Sequence, residues 1–158
     1  MNRLITTFFV ALVYIGTAQA EGTYADAARY SNAANSALSR AYFYSVYWLY
    51  QKAYLSFTGG YYKYQAYLAG TDARNQAKHA YEAANLAYSK YGWTYHGYYA
   101  RYYAYKAYLH ASLAVPQLWH VYTGIDYERE ANVNLHAASL YNGHAAYFLG
   151  YAITPETP

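Results

Sequence analysis

Residues 24–57 read YADAARYSNAANSALSRAYFYSVYWLYQKAYLSF, a long stretch that contains neither glycine nor proline. Alanine has the highest intrinsic helix propensity, and it recurs throughout the stretch at positions 25, 27, 28, 33, 34, 37, 41 and 53. A helical spacing of three or four residues relates Leu38, Tyr42, Ser45, Leu49 and Lys52. The stretch therefore predicts a helix, which Gly59 and Gly60 then break.

Further elements follow beyond this break. The predicted elements are a short tyrosine-rich piece over 61–69 and helices over about 73–90, 98–114 and 127–149. Gly70 ends the short piece, and Thr71 and Asp72 are N-cap candidates for the helix that comes next.

Turn residues separate the last two helices from their neighbours. Gly92 and Gly97 interrupt the stretch before residue 98. Pro116 lies just past the predicted end at 114, where proline is common because it cannot continue a helix. Gly124 and Asp126 mark a turn and a cap before the final helix.

The competing interpretation is β-structure, because tyrosine is enriched in strands. Segments 42–47 and 62–64 tolerate it. However, the interleaved alanines disfavour strands, and no segment sustains the alternation of apolar and polar residues that a strand requires. We therefore predict an all-α fold, a compact bundle of about four to five helices rich in alanine and tyrosine.

A loose internal repeat accompanies these helices. AANSA at 33–37 recurs as AANLA at 83–87, and KAYL at 52–55 recurs at 106–109. Such matches indicate a degenerate duplicated helix pair. Chance matching in a chain dominated by two residue types is the equally good alternative.

Composition excludes several functional classes. The 158 residues include 27 tyrosines and no cysteine, and only 12% are charged. Without cysteine there is no disulfide scaffold, thiolate metal site or cysteine nucleophile. A net charge of +3, dispersed along the chain, does not indicate a nucleic-acid groove, so we expect no nucleic-acid partner.

The first twenty residues have the pattern of a secretory signal peptide. Arg3 precedes an apolar run from Leu4 to Ile15, and Ala18-Gln19-Ala20 supplies the small residues of a cleavage site. The alternative, a membrane anchor, would require about 20 apolar residues. We predict a secreted, extracellular protein with a single helical tyrosine-rich domain over 21–153 and a disordered tail over 154–158. No membrane association is expected after cleavage.

Tyrosine is too abundant for packing alone. A helical domain of this size is expected to use about five or six tyrosines in its core. The excess is concentrated in two runs, at 61–67 and 98–108. These runs supply the candidate cross-linking residues, which are Tyr61, Tyr62, Tyr64, Tyr67, Tyr98, Tyr99, Tyr102, Tyr103, Tyr105, Tyr108, Lys63 and Lys106.

Exposed phenols are substrates for oxidation, either to a catechol and then a quinone or directly to dityrosine. Quinones react with lysine amines and histidine imidazoles. On a helix of 3.6 residues per turn the second run places phenols on every side, so some of them must face solvent. This favours a structural precursor whose tyrosines a separate enzyme modifies.

Motifs of catalysis are absent from the chain. It contains no Gly-x-Ser-x-Gly, no phosphate-binding glycine loop and no His-Glu-x-x-His. Its six histidines are spread singly, and Glu128 and Glu130 are two residues apart and do not face each other on a helix. We therefore predict that the protein is not an enzyme and uses no cofactor or metal, with a histidine-based metal site as the unsupported alternative.

A secreted, cysteine-free, alanine-rich chain with Tyr-Tyr-Lys-Tyr and Tyr-Tyr-Ala-Tyr-Lys runs resembles the trematode eggshell synthesis (vitelline) proteins. The resemblance covers most of the mature chain and lies in composition and run pattern. It implies a precursor stored in secretory granules and hardened on the forming egg. Its implied partners are a tyrosinase-type phenol oxidase, other structural precursor chains and further copies of itself.

A second hypothesis comes from a different class of protein. The tyrosines could line the pocket or contact face of a secreted helical binding module. That hypothesis predicts tyrosines converging on one concave site, whereas phenols scattered over the whole surface would count against it.

Overall fold

A computed structural model describes residues 22–54 and 59–153, and within these ranges it contains helices and no strands. The helices are α1 (Tyr24–Tyr54), α2 (Gly59–Tyr91), α3 (Tyr95–Tyr122) and α4 (Glu128–Ile153). The all-α prediction is confirmed, and so is the predicted number of helices. The predicted signal peptide, the predicted tail and the end of the first predicted helix at 55–57 lie outside the described residues.

The four helices form an antiparallel bundle. α1 packs against α2 and α4, and α3 packs against the same two helices on the other side. The short connections at 92–94 and 123–127 make sequential helices antiparallel neighbours. Contacts between helices agree with this order: Arg40 pairs with Asp72 at 2.7 Å between α1 and α2, and Tyr64 contacts Tyr122 between α2 and α3.

Alanine makes up most of the core. Among the described residues, 20 of the 27 buried hydrophobic residues are alanine, and the single tyrosine in this set is Tyr24. The buried positions of α3 are Gly97, Ala100, Ala104, Ala107, Ala111, Ala114, Val115, Leu118 and Val121. Those of α4 are Ala131, Leu135, Ala138, Asn142, Ala145 and Leu149.

Apart from Val115, these positions follow one another at alternating intervals of three and four residues, the spacing of a coiled-coil interface. We call the row of buried alanines on each helix its alanine seam. Small side chains at such an interface let neighbouring backbones approach closely, since interaxial distance depends on the residues at the contact.

Tyrosine rings flank the alanine seams. Tyr44 and Tyr67 are half-buried against one part of the core, and Tyr30 and Phe148 are half-buried against another. A tyrosine in such a position can bury its ring and leave its hydroxyl in water. Eleven described tyrosines are half-buried in this way. More tyrosines therefore take part in packing than the expected five or six. The small alanine side chains leave apolar surface beside each seam, and tyrosine rings cover it.

One polar pair interrupts the apolar core between α1 and α4. The Asn142 side chain is fully buried, and its Nδ2 donates to the Ser31 backbone oxygen at 2.8 Å. The Ser31 hydroxyl in turn donates to Asn142 Oδ1 at 3.0 Å. Because both side chains are satisfied by each other, this pair fixes how α4 lies along α1.

The predicted break at Gly70 is wrong, since α2 runs through it without interruption. Gly70 is buried against α3, and a Cβ placed there would lie 2.5 Å from Leu118 Cδ1. Thr71 and Asp72 do not cap a helix. The Thr71 hydroxyl donates to the Tyr67 carbonyl at 2.9 Å, and Asp72 pairs with Arg40. Close packing has overridden the low helix propensity of glycine here.

The predicted end of the third helix is also wrong. α3 continues through an exposed Pro116 to Tyr122, because the burial of Leu118 and Val121 offsets the lost backbone hydrogen bond. The predicted turn at Gly124 is confirmed, with a left-handed φ of 94°. The last helix ends at Ile153, four residues beyond its predicted end at 149.

The start of α3 also differs from the prediction. Thr94 is the N-cap, and its side chain accepts a hydrogen bond from the Gly97 N–H at 3.0 Å. Gly97 therefore lies inside the first turn and does not punctuate the chain. It is buried, and a Cβ there would collide with the Tyr24 hydroxyl. A larger residue at this position would force the Tyr24 side chain to move.

The internal repeat does not correspond to a duplicated helix pair. Segment 33–37 lies in the first half of α1, and its match at 83–87 lies near the end of α2. The second match instead relates the end of α1 to the middle of α3. Because the two matches relate different helices, no single duplication accounts for both.

Candidate functional site

The tyrosines form an outer layer around the alanine core. Of the 25 tyrosines whose side chains the structure describes, one is buried, eleven are half-buried and thirteen are exposed. The exposed ones are Tyr42, Tyr50, Tyr61, Tyr64, Tyr91, Tyr95, Tyr98, Tyr102, Tyr105, Tyr122, Tyr127, Tyr147 and Tyr151. They occur on all four helices and in the last connection, so they do not converge on one place.

The candidate tyrosines divide evenly between exposed and half-buried positions. Five are exposed, namely Tyr61, Tyr64, Tyr98, Tyr102 and Tyr105. Five are half-buried, namely Tyr62, Tyr67, Tyr99, Tyr103 and Tyr108. The two runs do not meet, because 61–67 begins α2 and 98–108 begins α3, and these two helices are antiparallel.

The two candidate lysines each lie over an aromatic ring. Lys63 Nζ is 4.1 Å from the ring centroid of Trp48, and Lys106 Nζ is 5.7 Å from that of Tyr102. Both lysines are half-buried. A ring face attracts a cation placed over it in this way.

Sequence reasoning missed eight exposed tyrosines outside the two runs. They are Tyr42, Tyr50, Tyr91, Tyr95, Tyr122, Tyr127, Tyr147 and Tyr151. A signal for the helical ones was present, because the alternating spacing of the alanines identifies the inward face of each helix. Tyrosines placed away from that face are the ones that solvent reaches.

Rings on α3 and α4 form a continuous aromatic ladder. Tyr95 and Tyr99 have ring centroids 4.8 Å apart, and Tyr99 stacks on Phe148 at 5.3 Å. Phe148 in turn stacks on Tyr103 at 5.6 Å, and Tyr103 stacks on Tyr141 at 6.3 Å. These contacts cover the groove between the two helices, so the second tyrosine run is partly used in packing.

Two phenol pairs interact through their hydroxyls. Tyr47 and Tyr62 have ring centroids 4.8 Å apart, and desolvation, followed by the neighbouring Tyr47 phenol, raises the pKa of Tyr62. Tyr147 and Tyr151 have ring centroids 5.0 Å apart, and the hydrogen bond with Tyr151 raises the pKa of Tyr147. Each pair brings together two rings that oxidation could couple.

Five of the six histidines lie against tyrosine rings. The centroid distances are 5.2 Å for His79–Tyr30, 5.2 Å for His96–Tyr151, 5.3 Å for His110–Tyr141, 5.2 Å for His120–Tyr127 and 5.0 Å for His144–Tyr103. Within residues 22–54 and 59–153, no group of three or more histidine, aspartate or glutamate side chains could hold a metal ion.

One groove lined by tyrosines runs along the exposed side of α1. It has a volume of about 580 Å³ and is lined by Ser39, Tyr42, Phe43, Val46, Tyr47 and Tyr50. Only three tyrosines contribute to it, and the groove is open to solvent.

Burial of Tyr24 leads to a prediction about pH. Burial raises the pKa of this phenol above its ordinary value of 10.0, and the Thr94 side chain offsets part of the rise. The unfolded chain therefore ionises at Tyr24 before the folded chain does. The resulting stabilisation is present below pH 10.0 and is lost as pH rises through the raised pKa. We expect the thermal midpoint to fall as pH rises above 10.0, and to fall less in Tyr24→Phe.

Circular dichroism melts across this range test the expectation. Tyr61→Phe, which removes an exposed phenol, is the control and should follow the parent chain. Parallel curves for Tyr24→Phe and the parent would contradict the assignment.

Comparison with known proteins found no matching family model, no similar curated protein and no similar solved structure. The resemblance to eggshell proteins therefore stays a prediction. Among the helices described, none is both long and apolar enough to cross a membrane.

Proposed function

We propose that this chain is a secreted structural precursor of a hardened extracellular layer such as an eggshell. A separate tyrosinase-type phenol oxidase modifies its tyrosines, and the oxidised rings join it to other precursor chains and to further copies of itself. Its tyrosines are substrates of that oxidase, and the chain has no active site of its own.

The observation that carries this proposal is the separation of the core from the phenols. Within residues 22–54 and 59–153, the core is largely alanine, while thirteen phenols on four helices and one connection face solvent. Alanine has no group that a phenol oxidase attacks, so oxidation at the surface leaves the packing of the helices intact. Exposed phenols on every side also let one chain join several neighbours.

The distribution of the phenols favours this function over a binding module. A binding module would gather its tyrosines at one concave site. The α1 groove uses three of them, and the exposed tyrosines of α2, α3 and α4 lie outside it.

The proposal predicts which phenols an oxidase reaches first. We expect tyrosinase and dioxygen to convert the thirteen exposed tyrosines ahead of the half-buried ones, with Tyr24 last, and to produce covalent oligomers on a denaturing gel. Peptide mapping by mass spectrometry would locate the added oxygen atoms. Layer material from the native source should carry the same modifications, and unmodified tyrosines there would contradict the proposal.

Two variants from the same runs give a matched comparison. The first replaces the exposed Tyr61, Tyr64, Tyr98, Tyr102 and Tyr105 with phenylalanine, and the control replaces the half-buried Tyr62, Tyr67, Tyr99, Tyr103 and Tyr108. The first removes five of the thirteen exposed tyrosines that the structure describes and should lose a corresponding part of the oligomer yield, and the control should lose less. Equal losses would mean that exposure does not govern the reaction.

A further inference from the structure

Histidine is placed against tyrosine far more regularly than lysine is. Five of the six imidazoles have a tyrosine ring centroid within 5.0 to 5.3 Å. The remaining one, His136, shares a groove with Tyr42 but makes no such ring contact among the described residues. Among the described residues, Lys90 Nζ lies 5.2 Å from the ring centroid of Tyr91, and Lys106 Nζ lies 5.7 Å from that of Tyr102.

The pair of His96 and Tyr151 differs from the others in its position. His96 is in the first turn of α3, and Tyr151 is in the last turn of α4. Their ring centroids are 5.2 Å apart and their planes differ by 19°. Tyr151 is 51% exposed, so an oxidase can reach it, whereas His96 is half-buried and held beside it.

We propose that the His96 imidazole forms a covalent bond to the Tyr151 ring after that ring is oxidised. This bond, which we call the staple, links the start of α3 to the end of α4. This inference rests on the proposed function, because it needs the quinone that a phenol oxidase produces. It assigns to a histidine a covalent role within one chain, separate from the links between chains.

The bond between His96 and Tyr151 forms in two steps. In the first, the oxidase uses one dioxygen molecule to convert the Tyr151 phenol to an ortho-quinone. One oxygen atom enters the ring and the other leaves as water. In the second, the neutral imidazole nitrogen forms a bond to a ring carbon. Its N–H proton and the displaced ring proton pass to the two quinone oxygens, and the ring returns to a catechol.

The imidazole suits this step better than an ammonium. An unperturbed histidine has a pKa of about 6.5, so most of it is neutral and nucleophilic at neutral pH. An unperturbed lysine has a pKa of about 10.4 and is almost entirely protonated there. The stacked arrangement already places the imidazole against the ring face, and rotation of its side chain directs the nitrogen to a ring carbon.

Tryptic peptides report the staple directly. Cleavage after Lys90, Arg101 and Arg129 places His96 in peptide 91–101 and Tyr151 in peptide 130–158. Purified protein at high dilution, treated with tyrosinase and dioxygen, should yield these peptides joined. The joined species should carry one additional oxygen atom and lack two hydrogen atoms, and fragmentation should locate the bond at His96 and Tyr151.

Two histidine variants test whether His96 in particular, and not any histidine, is needed for the joined peptides. His96→Phe keeps a ring in place but has no nitrogen, and it should lose the joined species while its helical circular dichroism is retained. His136→Phe is the matched control and should give the joined species at the parent yield. Tyr151→Phe should abolish the species as well, without depending on how the histidine variant folds.

Failure of the His96–Tyr151 bond can be distinguished from failure of the proposed function. If tyrosines are oxidised and chains oligomerise, but peptides 91–101 and 130–158 are not joined at His96, the staple is wrong and the proposed function stands. If the folded chain is not oxidised at all, both fail. A joined species that persists in His96→Phe also overturns the staple.

Discussion

Replacing Ala111 with leucine is expected to lower the free energy of unfolding by about 3 kcal/mol. Ala111 lies in the alanine seam of α3 and is 1% exposed. It belongs to the same core cluster as Ala73 of α2, Leu118 of α3 and Ala138 of α4. Because the facing residues are also small, the helices leave no volume for the added carbons, and α3 must move away from its neighbours.

This loss would be a large fraction of the total free energy of unfolding, which is about 5–15 kcal/mol for a domain of this kind. Urea unfolding followed by circular dichroism measures it. Ala25→Leu, on the exposed side of α1, is the matched control and should change the free energy by no more than about 0.5 kcal/mol. If Ala111→Leu were as stable as the parent, α3 would not pack through its alanines.

Removing the Asn142 side chain is expected to cost about 1–3 kcal/mol of unfolding free energy. The Ser31 hydroxyl loses its partner Oδ1, which lies 3.0 Å away, and the donor to the Ser31 backbone oxygen disappears. Both groups are buried, so water cannot replace the bonds without entering the core. Asn142→Ala, examined by the same urea unfolding, tests this cost.

A double-mutant cycle separates the energy of the Ser31–Asn142 hydrogen bonds from the cost of the cavity that each truncated side chain leaves. Ser31→Ala and Asn142→Ala should each be destabilising, and the double variant should lose less than the sum of the two. Additive losses would mean that the two side chains do not act as a unit, and that something else fixes how α4 lies along α1.

The fold class followed from composition because it depends on properties local to the chain. A high alanine content and the absence of sustained alternation are enough to predict helices. The breaks predicted at Gly70 and Pro116 failed because both residues stop helices by intrinsic preference, which packing overrode. Gly70 lies against Leu118, and the burial of Leu118 and Val121 carries α3 past its proline.

The candidate site was predicted only in part, and the reason is again contact between helices. Sequence reasoning placed the phenols in two runs, and half of those candidate tyrosines are exposed. It did not separate the exposed Tyr98 from the half-buried Tyr99, because it made no use of the alanine spacing that identifies the inward face of α3. The pairing of His96 with Tyr151 depends on residues 55 positions apart, and only the packing of α3 on α4 brings them together.

If the chain is hardened as proposed, the alanine seams would also determine how the layer is built. Because the proposed oxidation acts outside the seams, it would cross-link helical bundles that stay folded. At a rise of 1.5 Å per residue, each bundle is a rod about 40–50 Å long. Such a layer would be a composite of rigid struts and covalent joints. Its stiffness along a rod would come from helices, and its resistance to solvents and proteases would come from the joints.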